Sequence, residues 1–324
     1  MDLEKEKKIV KDFIENKPNF ILALVLVIFF IIVSNITAPR DFAEGKLITI
    51  EKGQSVKNTA ELLKRENIIK SETIFNIIVT FTNSKVVEGK YLFHTKKNIF
   101  NITERVTNGS YEIPIETITF LEGEDSFEMA EKLKYKLPNF DVDTFHDLAL
   151  LNEGYLFPDT YNFRVTVSAE EVVKKMRDNF DEKIFDISDQ IEATGRSLDD
   201  IIKMASIIEG EASATSRQEV ADILWKRIDI DMPLQVDATF VYSIGKSTFD
   251  LTLEDLRNEE NPYNSYEFKG LPPTPINNPG IKAILAATKQ GQTSYLFFLT
   301  GRDGNMYYAN TFAGHKNNRA LYLD

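Results

Sequence analysis

The sequence predicts an α+β protein with a single N-terminal transmembrane helix, a small α/β module and a larger mixed α+β domain. Three observations support this prediction. An uninterrupted apolar run lies near the N-terminus, strand and helix patterns alternate in residues 46–112, and amphipathic helices are separated by proline-rich loops in residues 113–324. A chain of 324 residues can hold several domains, each with its own core.

The composition argues against several classes of protein. A net charge of −12 argues against a nucleic-acid binder, because neutralising phosphates requires clustered Lys and Arg. The absence of cysteine excludes disulfides, thiolate catalysis and Cys-bound zinc. The three histidines, His94, His146 and His315, are far apart in the sequence and lack HxxxH spacing. We therefore expect neither a metal site nor a cofactor.

The N-terminal segment predicts a membrane anchor. Residues 1–18 are polar and contain five lysines, and the apolar run that follows predicts a transmembrane helix at residues 19–38. A cleavable signal peptide is the alternative, but its apolar region is normally shorter and Ile36-Thr-Ala-Pro39 is a poor cleavage site. The lysines before the run favour a cytoplasmic tail at residues 1–18 and a single-pass protein of the cell membrane, with the rest of the chain outside.

Residues 46–112 are predicted to form the small α/β module. Leu47–Ile50 is strand-like, and Lys52-Gly-Gln-Ser55 is a turn that leads into an amphipathic helix. The patterns that follow are a helix from Ser71 to about Phe81, a strand at Gly89–Phe93 and a helix from Ile99 to Val106. This order resembles a LysM-like sugar-binding module, mainly in the opening Ile48–Gln54 and in Ile68-Ile69. A generic α/β spacer domain is the alternative.

Residues 113–324 are predicted to form the larger domain. Ile113–Phe120 alternates like a strand, and Asp125 with Glu128 forms a capping box for the next helix. Further helical patterns follow at residues 172–187, 197–212 and 216–228, and two strand-like segments at 295–299 and 305–308 are joined by a glycine-containing turn.

One of these helices carries the candidate chemistry. Ser197 can cap its N-terminus, and apolar residues recur at helical spacing up to Ala212. Glu209 and Glu211 fall on opposite shoulders of the apolar stripe, where partial burial would raise the pKa of a carboxyl group and suit it to be a general acid. Gly210 between them would let a bulky substrate approach. The periodicity does not choose between the two glutamates, and a solvated surface position is the alternative for either one.

Several segments in order resemble the MltG (YceG-like) family of membrane-anchored endolytic murein transglycosylases. The resemblance runs from about Leu121 to Asn317 and rests on Leu121–Gly123, Glu153–Tyr161, Ala205–Glu211, Leu234–Asp237 with Tyr242, Tyr263–Tyr266, Gly270–Pro273, Pro275-Ile276, Asn278–Gly280 and His315–Asn317. The chain departs from the family pattern at Gly210, where Lys is usual, at Lys226, where Asn is common, at Ala238, where Pro is common, and at Thr274, where Gly is common.

The resemblance implies a role for particular residues. The second glutamate of the Glu-x-Glu pair, Glu211, would be the catalytic residue on a lysozyme-like catalytic helix, working without a second carboxylate. Aromatic rings and hydrogen-bonding side chains in the loops suit a glycan cleft. The expected substrate-binding residues are Glu153, Tyr155, Gln235, Asp237, Tyr242, Tyr263, Asn264 and Tyr266.

The implied activity is a lyase reaction on peptidoglycan. The enzyme would cut the bond between N-acetylmuramic acid and N-acetylglucosamine and leave 1,6-anhydro ends on nascent strands, in association with the membrane and with wall-synthesis proteins. Two alternatives remain open. One is a muramidase-type hydrolase, with Asp237 or Asp159 as the partner carboxylate. The other is a non-catalytic, membrane-anchored scaffold that binds peptidoglycan.

Overall fold

The computed structural model describes residues 21–137, 139–246, 250–289 and 291–323. The chain divides into two compact units, an N-terminal unit that ends at Pro114 and a C-terminal unit that begins at Ile115. Both combine helices with short antiparallel strand pairs, so the protein belongs to the mixed α+β class.

The first described helix, α1, covers residues 21–36, and most of its apolar side chains are exposed. Among the described residues, no helix is both long enough and apolar enough to cross a membrane. The predicted transmembrane helix at residues 19–38 is therefore wrong. The described helical segment is shorter than the roughly 20 residues that a span needs, and it ends before Pro39. Residues 19 and 20 lie outside the described part of the chain.

The N-terminal unit is built on one antiparallel strand pair. Strand β1 (Lys46–Ile50) pairs with β2 (Gly89–Phe93), with Ile48 opposite Tyr91. Its other helices are α2 (Val56–Arg65), α3 (Glu72–Phe81) and α4 (Ile99–Asn108). The side chains of Ser55, Ser71 and Asn98 cap these three helices by accepting backbone N–H bonds.

The C-terminal unit begins with a strand pair covered by three helices. Strand β3 (Ile115–Thr119) pairs antiparallel with β4 (Thr160–Arg164). The helices are α5 (Ser126–Lys136), α6 (Val142–Leu150) and α7 (Ala169–Phe185). Asp125 and Glu128 form the predicted capping box at the start of α5, and the buried side chains of the three helices and the strands share one core.

The rest of this unit is organised around a buried helix. The remaining elements, in chain order, are α8 (Ser188–Ala193), α9 (Leu198–Glu211), α10 (Arg217–Asp229), α11 (Ala238–Ile244), α12 (Leu253–Leu256), α13 (Ile281–Thr288), β5 (Phe297–Thr300), β6 (Met306–Ala309) and α14 (Phe312–Tyr322). Helix α9 packs against α10 and α13, and its residues from Ile201 to Ile208 are almost all buried. Burying one such isoleucine fully stabilises the fold by about 1.5–3 kcal/mol, which fixes the position of the residues at its C-terminal end.

Candidate active site

Helix α9 ends in two carboxylates that have different hydrogen-bond and ion-pair partners. Ser197 Oγ accepts a hydrogen bond from the Asp200 backbone nitrogen at 3.0 Å, so the helix begins at the predicted cap. Glu209 and Glu211 both lie in its last turn. The two side chains differ in their tertiary partners. The helical pattern in the sequence does not show these partners.

Glu209 is held by two strong partners. Its Oε1 accepts a bond from Arg217 Nη2 at 2.6 Å, and its Oε2 accepts one from the Gly280 backbone nitrogen at 3.1 Å. The Glu209 side chain is only 5% exposed. Both of its oxygens are therefore occupied, and its role is to join the end of α9 to the start of α10 and of α13.

Glu211 is half-buried and has a weaker set of partners. Its Oε1 accepts a hydrogen bond at 3.0 Å from the backbone nitrogen of Ala238, which is the first residue of α11. Among the described residues it has no ion-pair partner within 4.0 Å. Burial raises the pKa of Glu211 to about 7, and the charge of Asp237 acts in the same direction. Near neutral pH this carboxyl group can therefore both donate and accept a proton.

Gly210 brings α9 close to α11. A Cβ atom at this position would lie 3.1 Å from the Cβ of Ala238, which is tighter than ordinary van der Waals contact. Gly210 was predicted to leave space for a bulky substrate, whereas Ala238 lies in that space. Gly210 therefore lets the backbone of α11 reach Glu211.

Asp237 and Tyr266 lie beside Glu211. The Tyr266 hydroxyl donates a hydrogen bond to Asp237 Oδ1 at 2.7 Å. Burial raises the pKa of Tyr266 well above its usual value, and Asp237 adds to the shift. Tyr266 thus stays protonated and keeps one oxygen of Asp237 engaged.

Gln235 projects from the same loop into solvent. Its backbone has φ +49°, in the left-handed region that costs a residue with a side chain about 1–2 kcal/mol. Ser265 holds this conformation, because its carbonyl accepts from Gln235 N and its hydroxyl accepts from Val236 N, each at 2.9 Å. The buried neighbours Leu234 and Val236 anchor the loop and leave the amide of Gln235 exposed.

Tyr242 and Tyr263 form an aromatic pair next to this loop. Their rings meet edge to face with centroids 5.3 Å apart. The Tyr263 hydroxyl shares a hydrogen bond with Thr274 Oγ1 at 2.8 Å. Tyr242 lies one turn after Ala238 on α11, so this pair belongs to the surroundings of Glu211.

Two of the expected substrate-binding residues form their hydrogen bonds with other groups of the protein. Asn264 is fully buried, and its amide donates to the carbonyls of Leu256 and Asn258. Glu153 is 2% exposed and accepts from the backbone nitrogen of Ser126 and the side chain of Asn278. Burial raises the pKa of Glu153 to about 7. Both side chains are therefore engaged by partners within the protein.

Tyr155 lies away from Glu211. Its hydroxyl donates to Asp199 Oδ1 at 3.0 Å, in the first turn of α9. Glu211 ends that helix, and the twelve residue steps from Asp199 to Glu211 span roughly 18 Å along the axis. The Arg177 guanidinium covers the Tyr155 ring at 4.5 Å. The fold therefore gives Tyr155 a structural role at the opposite end of the helix.

Asn278 is a residue that chemistry-based reading of the sequence passed over. Its Oδ1 accepts from the backbone nitrogens of Gly154 and Leu156, and its Nδ2 donates to the Glu124 carbonyl and to Glu153. These partners lie more than 120 residues away in the chain, so no local pattern points to them. The sequence signals at this position were the proline-rich run and the Asn278–Gly280 segment of the family resemblance.

A surface groove elsewhere in this unit lies beside β3 and α5. Its volume is about 530 Å³, and its lining is Thr117, Ile118, Thr119, Glu128, Glu131, Lys132, Tyr135 and Lys136. None of the expected site residues lines it. In the part of the chain that the structure describes, no three His, Cys, Asp or Glu side chains are grouped to hold a metal ion.

Comparison with known proteins places these features in a family context. The sequence profile of the YceG-like family matches residues 48–320. The endolytic murein transglycosylase of Bacillus subtilis (strain 168) is 29% identical over 305 residues, which cover 85% of this chain and 84% of that protein. The protein of the same name from Streptococcus pneumoniae serotype 2 (strain D39) is 25% identical over 331 residues, covering 88% of this chain and 60% of that longer protein.

A solved structure is similar as well. The crystal structure of a yceG-like protein from Listeria monocytogenes superposes with a TM-score of 0.57 at 26% sequence identity. The match covers 85% of this chain and 99% of that chain.

Proposed function

The chain belongs to the YceG-like family, and from this membership and the surroundings of Glu211 we propose that it is an endolytic lytic transglycosylase of peptidoglycan. It cuts the bond between N-acetylmuramic acid and N-acetylglucosamine and leaves a 1,6-anhydro muramic end. The observation that carries the proposal is the half-buried carboxyl group of Glu211, which accepts a bond from Ala238 N and has its pKa raised to about 7 by burial.

Glu211 first acts as the acid. Its proton passes to the oxygen that bridges the two sugars while the bond to the anomeric carbon breaks and positive charge develops on the muramic ring. The carboxylate that remains keeps its hydrogen bond from Ala238 N, at the positive end of α11. This bond strengthens as Glu211 becomes charged, which favours the proton transfer.

Glu211 then acts as the base. It takes the proton of the muramic 6-hydroxyl, whose oxygen bonds to the anomeric carbon and closes the 1,6-anhydro ring. The nucleophile belongs to the bound sugar, so no water is consumed and the reaction is that of a lyase. The carboxyl group finishes in the protonated state in which it started.

The hydrolase alternative requires a second carboxylate that activates water. The Asp237 carboxylate is engaged by Tyr266. The Asp159 oxygens accept from the Thr160 backbone nitrogen and from Asn179 Nδ2. Both aspartates thus have internal partners, and this favours the single-carboxylate reaction.

The proposed substrate contacts are a subset of the predicted ones. Gln235 offers an exposed amide, and Asp237 and Tyr266 offer polar atoms beside Glu211. The rings of Tyr242 and Tyr263 are half-buried next to α11, where they can pack on a sugar face.

We also propose that the N-terminal unit binds glycan as a LysM-like module. The strand-helix-helix-strand order of β1, α2, α3 and β2, with the two strands paired antiparallel, supports this. Because the substrate is the wall, we propose that the chain from residue 46 onward works outside the cytoplasm, alongside wall-synthesis proteins. Full-length protein with Glu211→Gln should sediment with insoluble peptidoglycan, and lack of co-sedimentation would count against the binding role.

The activity is tested with purified glycan strands and mass spectrometry of the products. Native protein should produce anhydro-muramic ends, and Glu211→Gln should abolish them while Glu209→Gln retains them. Reducing muramic ends would instead identify a hydrolase. Binding of strands without any cleavage would identify a scaffold.

A further inference from the structure

Arg227 on α10 is a buried cation whose hydrogen bonds go to backbone carbonyls. It is 4% exposed. Its Nε donates to the Leu296 carbonyl at 2.7 Å, its Nη1 donates to the Leu234 carbonyl, and its guanidinium lies over the Phe297 ring at 5.3 Å. These contacts tie the loop that begins at Leu234 to the segment that leads into β5.

The charge of Arg227 has no direct counter-ion within the described residues, where none of its contacts at 4.0 Å or less is an ion pair. Burial lowers the pKa of Arg227 to about 10, while Tyr266 and Glu211, which become negative on deprotonation, act in the opposite sense. Burying a charge without a partner destabilises a protein by several kcal/mol. The two carbonyls and the Phe297 ring offset part of this cost, but none of them carries a negative charge.

A second buried arginine provides the contrast. Arg105 in the N-terminal unit is 5% exposed and also donates to backbone carbonyls, those of Leu92, Ser110 and Tyr111. It additionally has the Glu112 carboxylate at 3.3 Å. Arg105 is therefore compensated locally by a carboxylate, whereas Arg227 has no such contact among the described residues.

One loop connects the two groups through their hydrogen bonds. Leu234, whose carbonyl binds Arg227, precedes Ala238, whose N–H binds Glu211, by four residues of the same loop. The other ionisable groups that interact with this pair include Asp237 and Tyr266 from the loops and His315 from α14. Burial lowers the pKa of His315, and the charge of Arg227 lowers it further, so this imidazole adds no positive charge near neutral pH.

We propose that Arg227 is an electrostatic positioning residue of the reaction, whose buried charge stabilises the Glu211 carboxylate in the interval between its two proton transfers. The proposal rests on the proposed function, since it assigns Arg227 to the acid and base steps of Glu211. It does not require Arg227 to touch the substrate. The guanidinium acts through the field it creates at Glu211, and water screens that field little because the cation is buried.

The test compares variants that keep or remove the charge. Arg227→Lys keeps it, and Arg227→Gln and Arg227→Met remove it. For each folded variant, the pKa of the Glu211 carboxyl is measured by ¹³C NMR without substrate, and kcat/KM on glycan strands is measured against pH. Loss of the charge should raise the pKa of Glu211 by roughly half a unit to one unit, less than the 1–3 units of a contact pair. The alkaline limb of the kcat/KM profile should move to higher pH by the same amount. The value of kcat/KM on the low-pH plateau should fall about three- to tenfold, as expected for a weaker acid.

Arg227→Lys should keep the native pKa of Glu211 and the native alkaline limb, although it loses one backbone contact. Arg105→Gln is the matched control, and it should change neither the pKa of Glu211 nor the alkaline limb of kcat/KM. The proposal would be overturned if the Lys variant and the neutral variants had the same Glu211 pKa and the same alkaline limb. A failure of both neutral variants to fold would also overturn it if Arg227→Lys folds with an altered Glu211 pKa. If Glu211→Gln still forms anhydro ends, the proposed function fails instead, and the NMR titration still reports on Arg227.

Discussion

The Oε1 atom of Glu211 lies 3.0 Å from the backbone nitrogen of Ala238. This contact joins the end of α9 to the start of α11, and it gives the proposed acid a donor that favours its charged form. A proline at this position could not make this bond, because proline has no N–H to donate.

The first prediction concerns the pH dependence of the reaction. Burial raises the pKa of Glu211 to about 7, and the acid step needs the protonated form. The value of kcat/KM should therefore be constant at low pH and fall tenfold per pH unit above about 7. Measurement of kcat/KM from pH 5 to 9 on glycan strands checks this. An activity that rises through pH 7 would mean that the reaction starts from the carboxylate.

The second prediction concerns Ala238→Pro. Removing the N–H donor should raise the pKa of Glu211 and move the alkaline limb up by roughly half a unit to one unit. Asp237 has helical φ and ψ of −75° and −26°, a conformation disfavoured before proline, so a loss of about 1 kcal/mol in stability is also expected. Ala238→Ser keeps the N–H and is the control. An unchanged limb in the proline variant would show that the bond does not influence Glu211.

The third prediction concerns the Glu209–Arg217 ion pair. Arg217→Met leaves the carboxylate of Glu209 buried with only Gly280 N as a partner. Breaking such a pair from one side should lower the free energy of unfolding by about 3 kcal/mol, measured by urea denaturation. The exposed pair Lys174 and Asp178, whose side chains are 74% and 61% exposed, provides the control. Lys174→Met should change stability by less than about 1 kcal/mol.

Local signals in the sequence were sufficient to predict α9. Its Ser197 cap and its apolar spacing are properties of neighbouring residues, and they fixed the helix and the presence of two carboxylates in its last turn. The choice between those carboxylates depends on Arg217, Gly280 and Ala238, whose positions only the fold determines. The resemblance to the family favours Glu211 as the catalytic residue.

The expected substrate contacts also depend on positions that only the fold determines. Tyr155 and Asn264 have the side-chain chemistry of sugar ligands, and in the structure one binds Asp199 and the other binds backbone carbonyls. A buried amide and an exposed one look alike in a sequence, because burial depends on distant chain segments. Gln235 is exposed for the opposite reason, since its buried neighbours and Ser265 force it outward.

The fourth prediction concerns the stability of the protein against pH. Burial raises the pKa of Glu153 from 4.5 to about 7, so the folded protein binds this proton more tightly than the unfolded chain does. The contribution of Glu153 to stability is therefore full below about pH 4.5 and decreases as the pH rises towards 7. Its size is on the order of 3 kcal/mol. Glu153→Gln removes the titration.

Urea denaturation of the Glu211→Gln protein and of the double variant Glu153→Gln/Glu211→Gln checks this prediction, because the shared change removes the parallel titration of Glu211. The single variant should lose stability between pH 4.5 and 7, and the double variant should lose clearly less. The double variant should also be about 1–3 kcal/mol less stable at pH 4.5, because the Gln amide faces the donor from Ser126 or Asn278. Parallel curves for the two proteins would contradict the assignment.

The fifth prediction concerns the hydrogen bond between Tyr266 and Asp237. Tyr266→Phe keeps the ring beside Phe240 and removes the hydroxyl that engages Asp237 Oδ1. The freed carboxylate can then activate water, so a fraction of reducing muramic ends should appear beside the anhydro ends, and kcat should fall up to about tenfold. Mass spectrometry of the products from purified strands measures that fraction. The double variant Tyr266→Phe/Asp237→Asn is the control, since it removes the freed base and should restore anhydro ends as the sole product. If Tyr266→Phe also yields anhydro ends alone, the hydroxyl does not restrain Asp237 in the reaction.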